Sequence, residues 1–231
     1  MKKRILAIII ARSKSKGLKN KNIRKINNIP LIGHAAKCAN LCKYINETII
    51  STDSKKYGKI AQKYGANFFF LRSRSLSGDN VSDESVLIDG LKKSEVFFKK
   101  KFDIIVSLPA STPTRSTKDL NDMISFFIKN KYDSVWSISK TDLKFHPLKQ
   151  LTIVKNNKLS FYEKKGKNIK NRQQLNDNIY YRNGVAYIIN RNFLNRYKRL
   201  LGNNSAGFEL KGKRISIDNK KDFMEAKKIL H

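Results

Sequence analysis

The chain has 231 residues, of which 40% are hydrophobic, so it can bury the core of one large α/β domain, and this composition argues against global disorder. Its formal net charge is +31, which favours anionic ligands. No apolar run approaches the ~20 residues of a membrane span. The basic and apolar N-terminus is not followed by the small-residue cleavage site of a signal peptide, so we expect a cytoplasmic protein.

The first predicted element is a buried strand over 5–11, which leads directly into a basic loop over 12–22. This loop combines Arg and Lys side chains with two serine hydroxyls and Gly17. Open α/β sheets bind their ligands beyond the carboxyl ends of parallel strands, where this loop would lie. Cations, hydroxyls and free backbone N–H groups at that place suit a polyphosphate, although a solvated basic turn would have the same composition.

Strand-like and helix-like segments alternate along most of the chain, which predicts a mainly parallel, doubly wound sheet. The predicted strands cover 5–11, 48–51, 68–71, 103–108, 134–138, 184–189 and 214–217. The predicted helices cover 30–43, 55–64, 84–94 and 118–130, with one more that ends near 201 and a last one that begins near 220.

The alternation breaks between 140 and 182, where the chain is polar and carries short extended pieces near 151–154 and 159–162. We interpret this segment as an insertion that forms a small β arm and packs against another subunit. The α/β core would then consist of residues 1–139 and 183–231.

Polar clusters follow several predicted strands at one edge of the sheet. Right-handed crossovers place the carboxyl ends of successive parallel strands at the same edge, so these clusters would share one site. The clusters are 12–22, 51–53, 72–83, 111–115 and Asp218. This inventory of cations, hydroxyls and a carboxylate suits phosphate binding with a metal. Neither a dinucleotide-binding glycine motif, nor a P-loop, nor a Gly-x-Ser-x-Gly elbow is present.

The cysteines and interior histidines give weaker signals. Cys38 and Cys42 have the spacing of one helix face, and we expect two core-facing thiols in a reducing compartment instead of a zinc site. We expect His34 to be a packed or surface helix residue. His146 lies in the insertion and has no paired carboxylate nearby in sequence, so neither histidine is assigned as a general base.

Eight segments resemble, in order, the motifs of the acylneuraminate cytidylyltransferase family, and together they span essentially the whole chain. The first is Ala11-Arg12-x-x-Ser15-Lys16-Gly17-x-x-x-Lys21-Asn22. The others are Ser51-Thr52-Asp53, Arg72 with Leu76, Asp79 and Ser82, Ser111-Thr112-Pro113-x-Arg115, His146-Pro147-Leu148-Lys149, Arg172-Gln173-Gln174-Leu175, Asn183-Gly184-x-x-Tyr187-Ile188 and Ile217-Asp218-x-x-x-Asp222-Phe223.

The resemblance implies a Rossmann-like, three-layer nucleotidyltransferase that transfers CMP from CTP to a nine-carbon 2-keto sugar acid for bacterial surface-glycan synthesis. It implies Arg12, Lys16, Lys21 and Asp218 as catalytic residues. The implied nucleotide-binding residues are Arg12, Ser15, Lys16, Lys21, Asn22, Arg72 and Ser82. The implied sugar-binding residues are Lys149, Arg172, Gln173, Asn183 and Tyr187. Asp218 would bind Mg²⁺ or Mn²⁺, and the 140–182 segment would be a dimerisation arm that completes the sugar pocket of a homodimer.

Three departures from the family pattern bear on these expectations. Ser216 stands where the family commonly has a second metal-binding Asp, and Pro109 stands where a Gln is frequent. Ser13 and Lys14 replace small residues in the first loop. The sugar therefore stays open among N-acetylneuraminic, legionaminic and pseudaminic acids.

Two alternatives to a fully active transferase are carried forward. The net charge of +31 permits a basic nucleic-acid-binding protein without catalysis, although aromatic residues are not interleaved with the basic clusters. Ser216 permits a family member with reduced activity.

Overall fold

The computed structural model describes residues 3–175 and 178–230. The strands are β1 Ile5–Ile10, β2 Lys25–Ile26, β3 Ile29–Pro30, β4 Glu47–Ser51, β5 Ile104–Pro109, β6 Ser134–Lys140, β7 Leu151–Ile153, β8 Leu159–Phe161, β9 Tyr180–Asn190 and β10 Ser205–Glu209. The main sheet has six strands in the order β10-β6-β9-β5-β1-β4, and two small sheets pair β2 with β3 and β7 with β8. β1 runs parallel to both β4 and β5, whereas β9 runs antiparallel to β5.

Serine side chains cap the N-termini of three helices. Ser54, Ser82 and Ser116 each accept a hydrogen bond from a backbone N–H in the first helical turn, which satisfies a donor that the helix cannot pair itself. The helices are α1 Leu31–Asn40, α2 Lys55–Gln62, α3 Asp83–Phe97, α4 Thr117–Asn130, α5 Arg191–Tyr197 and α6 Lys220–Leu230.

The alternation of side chains along β1 divides the core between the two faces of the sheet. Ile5, Ala7 and Ile9 belong to one apolar cluster with residues of α1 and α4. Leu6 and Ile8 belong to a second cluster with residues of α3 and α5. Helices therefore cover both faces, and the predicted three-layer α/β fold with a mainly parallel centre is confirmed.

The chain divides into two compact units, one of residues 1–137 with 183–231 and one of residues 138–182. The second unit contains the β7–β8 hairpin and several single turns of 3-10 helix. Gly166 packs tightly within it, since a Cβ built there would overlap the carbonyl oxygen of Leu148. Within the described ranges, no helix is both long and apolar enough to cross a membrane.

Two predicted strands are wrong. The 68–71 segment pairs with no strand, although Asn67 just before it makes a single bridge to Ile49. Its aromatic side chains pack instead, with Phe69 stacked on Phe97. The 214–217 segment is extended but pairs with a loop, because the N–H of Ile215 donates to the hydroxyl of Thr114. Its apolar residues belong to a third small cluster.

Two further details differ from the sequence-based expectations. β10 was not predicted, because its Ser-Ala-Gly-Phe-Glu sequence lacks a run of β-branched residues. Cys42 lies beyond the end of α1, in the turn that follows it. Both Cys38 and Cys42 are nevertheless buried and free, as expected of core thiols.

Candidate active site

A pocket of about 450 Å³ lies at the carboxyl ends of β1 and β5. It gathers six of the seven predicted nucleotide-binding residues together with Asp218. Its polar lining includes Arg12, Ser15, Lys16, Lys21, Asn22, Arg72, Asp79, Asp83, Ser111 and Asp218. The strand ends thus bring together residues that are more than two hundred positions apart in the sequence, as the crossover rule predicts.

The basic loop after β1 is fixed by side chains at its base. The buried amide of Asn22 donates to the carbonyl oxygen of Arg12 at 3.0 Å, which ties the two ends of the loop together. The carboxylate of Asp53, just beyond β4, accepts from the N–H of Ser13 at 2.7 Å and from its hydroxyl at 2.8 Å. The loop is therefore held in place while its cations remain at the pocket.

Lys21 links this loop to Asp218 on the opposite wall. Its Nζ donates to the carbonyl oxygen of Ile217 at 2.6 Å and to Oδ1 of Asp218 at 2.9 Å. The segment before Asp218 is anchored in turn, because the N–H of Ile217 donates to the carbonyl oxygen of Ser111 at 2.9 Å. Asp218 is thereby placed at the pocket although its own side chain is 77% exposed.

A salt bridge between Arg214 and Asp119 anchors the segment that leads to Asp218, four residues before that carboxylate. The Nε and Nη2 atoms of Arg214 lie 3.1 and 2.8 Å from the two carboxylate oxygens of Asp119. Asp119 is also the third residue of α4, where it completes the capping box with Ser116. This two-pronged contact fixes the extended segment to the start of α4.

Asp79 forms salt bridges with two cations of the basic loop. Its two oxygens lie 2.5 Å from Nη1 of Arg12 and 2.5 Å from Nζ of Lys16. The hydrogen bonds from Lys16 and then Arg12 lower the pKa of the Asp79 carboxyl. The sequence motif alone predicts no role for Asp79, because a contact between residues over sixty positions apart leaves no local signal.

Arg72 contributes a buried charge to the pocket. Its side chain is enclosed, its Nε donates to the hydroxyl of Ser77 at 3.3 Å, and burial lowers the pKa of its guanidinium. Because burial disfavours the charge of this guanidinium, an anionic ligand in the pocket would stabilise it.

Two other residues of the predicted clusters, Ser82 and Arg115, form hydrogen bonds that stabilise the fold. Ser82 does not line the pocket; its hydroxyl caps α3 by accepting from the N–H of Ser85. Arg115 is buried below the pocket, where its Nε donates to the carbonyl oxygen of Val185 at 2.5 Å and its Nη2 to that of Pro109 at 2.8 Å. Burial lowers the pKa of Arg115 to about 10. Arg115 therefore joins the end of β5 to the middle of β9.

The predicted sugar-binding residues fall in both units. Lys149 and Arg172 line one pocket of about 310 Å³ in the 138–182 unit, and Gln173 lies in the same turn of 3-10 helix as Arg172. Asn183 and Tyr187 lie on β9 in the α/β unit. Asn183 is buried and accepts from the N–H of Val185, and Tyr187 packs edge-on against Trp136.

His34 and His146 lie outside the pocket. His34 is part-buried on α1 with its Nε2 2.9 Å from the carbonyl oxygen of Ile26, and burial lowers the pKa of its imidazole. His146 is buried in the 138–182 unit, where its Nδ1 accepts from the N–H of Leu148 at 3.1 Å. Both contacts are to backbone groups no more than eight residues away, and neither histidine lines the pocket.

Oxygen donors for a cation are present at one wall of the pocket. No group of three or more His, Cys, Asp or Glu side chains capable of holding a metal occurs in the described part of the chain. The available donors are the carboxylate of Asp218 and the hydroxyls of Ser111 and Ser216, whose oxygens are 3.4 Å apart. Such a set fits Mg²⁺, which takes few protein ligands and completes its shell with water and phosphate oxygens.

The three-layer α/β fold and its basic pocket at the strand ends define a nucleotidyltransferase. The chain belongs to the cytidylyltransferase family, whose model matches residues 6–230.

The relatives of the chain are consistent with this class. A Campylobacter coli protein named post-translational flagellin modification protein B is 35% identical over 220 residues, which covers 95% of this chain and 92% of the relative. The CMP-N,N'-diacetyllegionaminic acid synthase of Campylobacter jejuni is 34% identical over the same shares of the two chains. A solved CMP:2-keto-3-deoxy-manno-octonic acid synthetase complexed with CTP covers 98% of each chain with a TM-score of 0.72, and at 17% identity this likeness concerns the fold.

Proposed function

We propose that the protein transfers CMP from CTP to the anomeric hydroxyl of a nonulosonic acid, a nine-carbon 2-keto sugar acid, with release of pyrophosphate. The observation that carries the proposal is the pocket in which Arg12, Lys16, Lys21 and Arg72 converge with Asp218 at the ends of β1 and β5. One relative that aligns over nearly the whole chain supports the sugar class, since it is named as a CMP-N,N'-diacetyllegionaminic acid synthase.

The cations of the pocket would hold the triphosphate of CTP. In the transfer, the anomeric oxygen bonds to the α-phosphorus, the bond from phosphorus to the bridging oxygen breaks, and pyrophosphate leaves with that electron pair. The hydroxyl proton is released. Catalysis of such a step consists mainly of positioning the reactants and neutralising charge. Arg12 and Lys16 would neutralise phosphate charge from the loop, and Lys21 would do so next to Asp218.

Asp218 would hold Mg²⁺, assisted by the hydroxyl of Ser216 or Ser111 directly or through water. When bound, the cation would neutralise phosphate charge between the nucleotide and the carboxylate. Lys21 has a second role in this proposal, because its hydrogen bonds to Ile217 and Asp218 orient the carboxylate. Ser216 supplies a neutral donor where a second carboxylate would bind the cation more strongly.

The carboxylate of the sugar acid would be bound by Arg172, with Lys149 as a second cation. Both line the same pocket of the 138–182 unit, which also has apolar walls from Leu148, Phe161 and Ile169. Arg172 is the better partner because a guanidinium can donate two parallel hydrogen bonds to a carboxylate. Asn183 and Tyr187 on β9 are the proposed sugar-binding residues of the α/β unit.

We also propose that the protein acts as a cytoplasmic homodimer. The β7–β8 hairpin exposes apolar side chains, including Ile153 at 73% and Leu159 at 68% exposure. Burying this apolar surface against another subunit would be favourable. These two residues face each other across the hairpin, so they form one apolar patch. A second copy of the 138–182 unit would cover it.

The test is pyrophosphate release by the purified protein with CTP, Mg²⁺ and each of N-acetylneuraminic, legionaminic and pseudaminic acids. We expect turnover with at least one acid, none with CTP alone, and a large loss in Lys21→Gln. Lys19→Gln is the matched control, since Lys19 is an exposed cation of the same loop that does not line the pocket. Absence of turnover with all three acids would contradict the proposal.

A further inference from the structure

The last turn of α3 presents two large apolar side chains to solvent. Val96 is 79% exposed and Phe97 is 54% exposed, whereas Leu87 and Leu91 of the same helix are fully buried. The ring of Phe97 lies flat on that of Phe69, with their centroids 4.0 Å apart, so packing fixes its position. We call the exposed side chains of Val96 and Phe97 the α3 tip.

The charges that face solvent around the α3 tip are mainly positive. Lys92 and Lys99 are exposed, and their side chains make no ion pair or hydrogen bond within the described ranges. Three carboxylates near the tip are largely enclosed and already paired: Asp89 with Lys93, Glu47 with Lys100, and Glu95 with Arg191 and Lys101. The exposed Asp103 accepts from the backbone N–H of Arg4. The free cations beside the tip therefore suit an anionic partner.

Lysine side chains also lie along the aromatic rings below the tip. The Nζ atom of Lys100 is 5.2 Å from the ring centroid of Phe98, and that of Lys93 is 4.6 Å from the centroid of Phe70. Lysine stems of this kind cover apolar surface while their amines stay in contact with water. Projecting apolar side chains with flexible cations at their base are typical of a surface that lies at an anionic lipid interface.

The size of the α3 tip favours a lipid surface over a protein partner. A stable protein interface buries about 800 Å² on each partner and needs shape complementarity. The tip offers two apolar side chains at a helix end, and the lysines around it would have to be fixed at an entropic cost. A membrane requires only shallow insertion of a few apolar side chains together with electrostatic attraction to its headgroups.

The α3 tip lies at the opposite end of its helix from the candidate active site. Asp83, the first residue of α3, lines the pocket, and the 15 residues of the helix place the tip about 20 Å away. The chain then enters β5, which leads back to the pocket at Ala110 and Ser111. A membrane in contact with the tip would therefore leave the pocket open to the aqueous phase.

We propose that the α3 tip docks the protein reversibly on an anionic phospholipid membrane. Val96 and Phe97 insert between the headgroups, and Lys92 and Lys99 contact the lipid phosphates. The cytoplasmic leaflet carries the anionic lipids, so this contact is compatible with the proposed cytoplasmic location. The docking does not depend on the transferase function, and it adds a membrane surface at which that function would take place.

The first test is flotation of the full-length protein with vesicles of phosphatidylglycerol and phosphatidylcholine, and with vesicles of phosphatidylcholine alone. We expect binding to the anionic vesicles only. Because a net charge of +31 attracts the protein to any anionic surface, the face that contacts lipid must also be identified. The tryptophan emission of Val96→Trp should shift to the blue on anionic vesicles. Ile229→Trp, at a 43% exposed position on α6, is the matched control and should show no shift.

A second pair of variants separates the tip from the general charge of the protein. Lys92→Gln with Lys99→Gln should weaken binding to anionic vesicles by about tenfold or more, since each lysine near an anionic surface contributes to affinity. Lys19→Gln with Lys25→Gln also removes two exposed cations and should change binding by no more than about twofold, because charges far from the contact are screened.

Three results would overturn the proposal: no binding to anionic vesicles, an equal loss of binding in the two lysine pairs, or an equal emission shift in the two tryptophan variants. Val96→Trp should also bind more tightly than the wild type, because a larger apolar side chain enters the interface, and a folding defect cannot produce such a gain. Vesicle binding needs neither CTP nor a sugar acid, so its outcome is independent of turnover.

Discussion

Gly17 lies directly against the carbonyl oxygen of Asp218, so closely that a Cβ at position 17 would overlap that oxygen. The contact joins the basic loop to the wall that carries the candidate metal ligand. Lys21 adds a hydrogen bond to the same wall. The loop and Asp218 are therefore positioned as one assembly, and a change at either side should disturb both.

Gly17→Ala should lower kcat/KM by about a hundredfold, because the loop must move away from Asp218 and displacements near 1 Å carry costs of that order. Steady-state kinetics with CTP and a turned-over sugar acid measure this change. Gly78→Ala is the control, since Gly78 also lines the pocket and its Cβ would meet only the side chain of Val81 at 3.6 Å. Equal activity of the two variants would contradict the role of the Gly17 contact.

Asp79→Asn should tighten binding of CTP severalfold in the absence of sugar. The Asp79 carboxylate neutralises Arg12 and Lys16 in this structure, so an incoming triphosphate must displace it. Removal of the competing charge removes that cost, and added salt should reduce the difference between variant and wild type. Titration calorimetry at two salt concentrations measures both effects. Weaker CTP binding in the variant would instead mean that Asp79 orients the cations for the nucleotide.

The sequence was sufficient to predict what depends on local pattern. The apolar run of β1 and the polar residues after it predicted a strand followed by a loop at the carboxyl edge of the sheet, and the structure has the strand and places residues of the loop at the pocket. The strand predicted for the aromatic run at 68–71 is wrong. Its apolar character reflects packing of Phe69 against Phe97 and Phe98, and not pairing with a neighbouring strand.

Tertiary contacts account for the residues that the sequence did not predict. Asp79 reaches Arg12 only after the chain has folded, and no spacing rule connects these positions. Arg115 is part of a motif full of candidate ligands, yet its burial under β9 assigns its hydrogen bonds to backbone carbonyl groups. Whether such an arginine faces a ligand or the core depends on which strand covers it, and the antiparallel placement of β9 beside β5 decides this.

Ile153→Glu with Leu159→Glu should shift the protein from dimer to monomer. The two residues form the exposed apolar patch of the hairpin, and four negative charges in a closed dimer interface would repel each other. Light scattering coupled to size exclusion measures the mass. Ser160→Glu changes the neighbouring position, whose side chain points to the opposite face of the hairpin, and should leave the mass unchanged. A wild-type monomer would contradict the proposed assembly directly.

Glu95→Gln should destabilise the fold at neutral pH by about 2 kcal/mol, the scale of a hydrogen bond to a buried charge. Glu95 accepts from Nε of Arg191 at 2.6 Å and from its Nη2 at 3.0 Å, and its side chain is only 9% exposed. Burial alone would raise the pKa of Glu95, but hydrogen bonds from Arg191, the N–H of Phe102 and Lys101 outweigh it and lower the pKa.

The pH dependence of this stabilisation has a fixed sign. Because the folded pKa of Glu95 is lower than the unfolded one, the contribution is complete above the unfolded pKa and is lost as the pH falls through the folded pKa. Urea unfolding of wild type and Glu95→Gln should therefore differ at pH 7 and converge in acid. Asp122→Asn, which breaks an exposed pair with Lys118, should change stability little at either pH. A difference that persists in acid would contradict the ionic origin.

Ser216→Asp should lower the Mg²⁺ concentration required for half-maximal turnover. Ser216 lies two residues before Asp218, and its hydroxyl is 3.4 Å from that of Ser111 at the pocket wall, so an aspartate there adds a second carboxylate to the same group of donors. A divalent cation binds more tightly as anionic oxygen ligands are added. Turnover measured across a Mg²⁺ titration tests this, with Ser216→Asn as a neutral control of nearly the same size. If the aspartate and asparagine variants require the same Mg²⁺ concentration, the cation does not bind at this wall, and Asp218 must act through Lys21 instead.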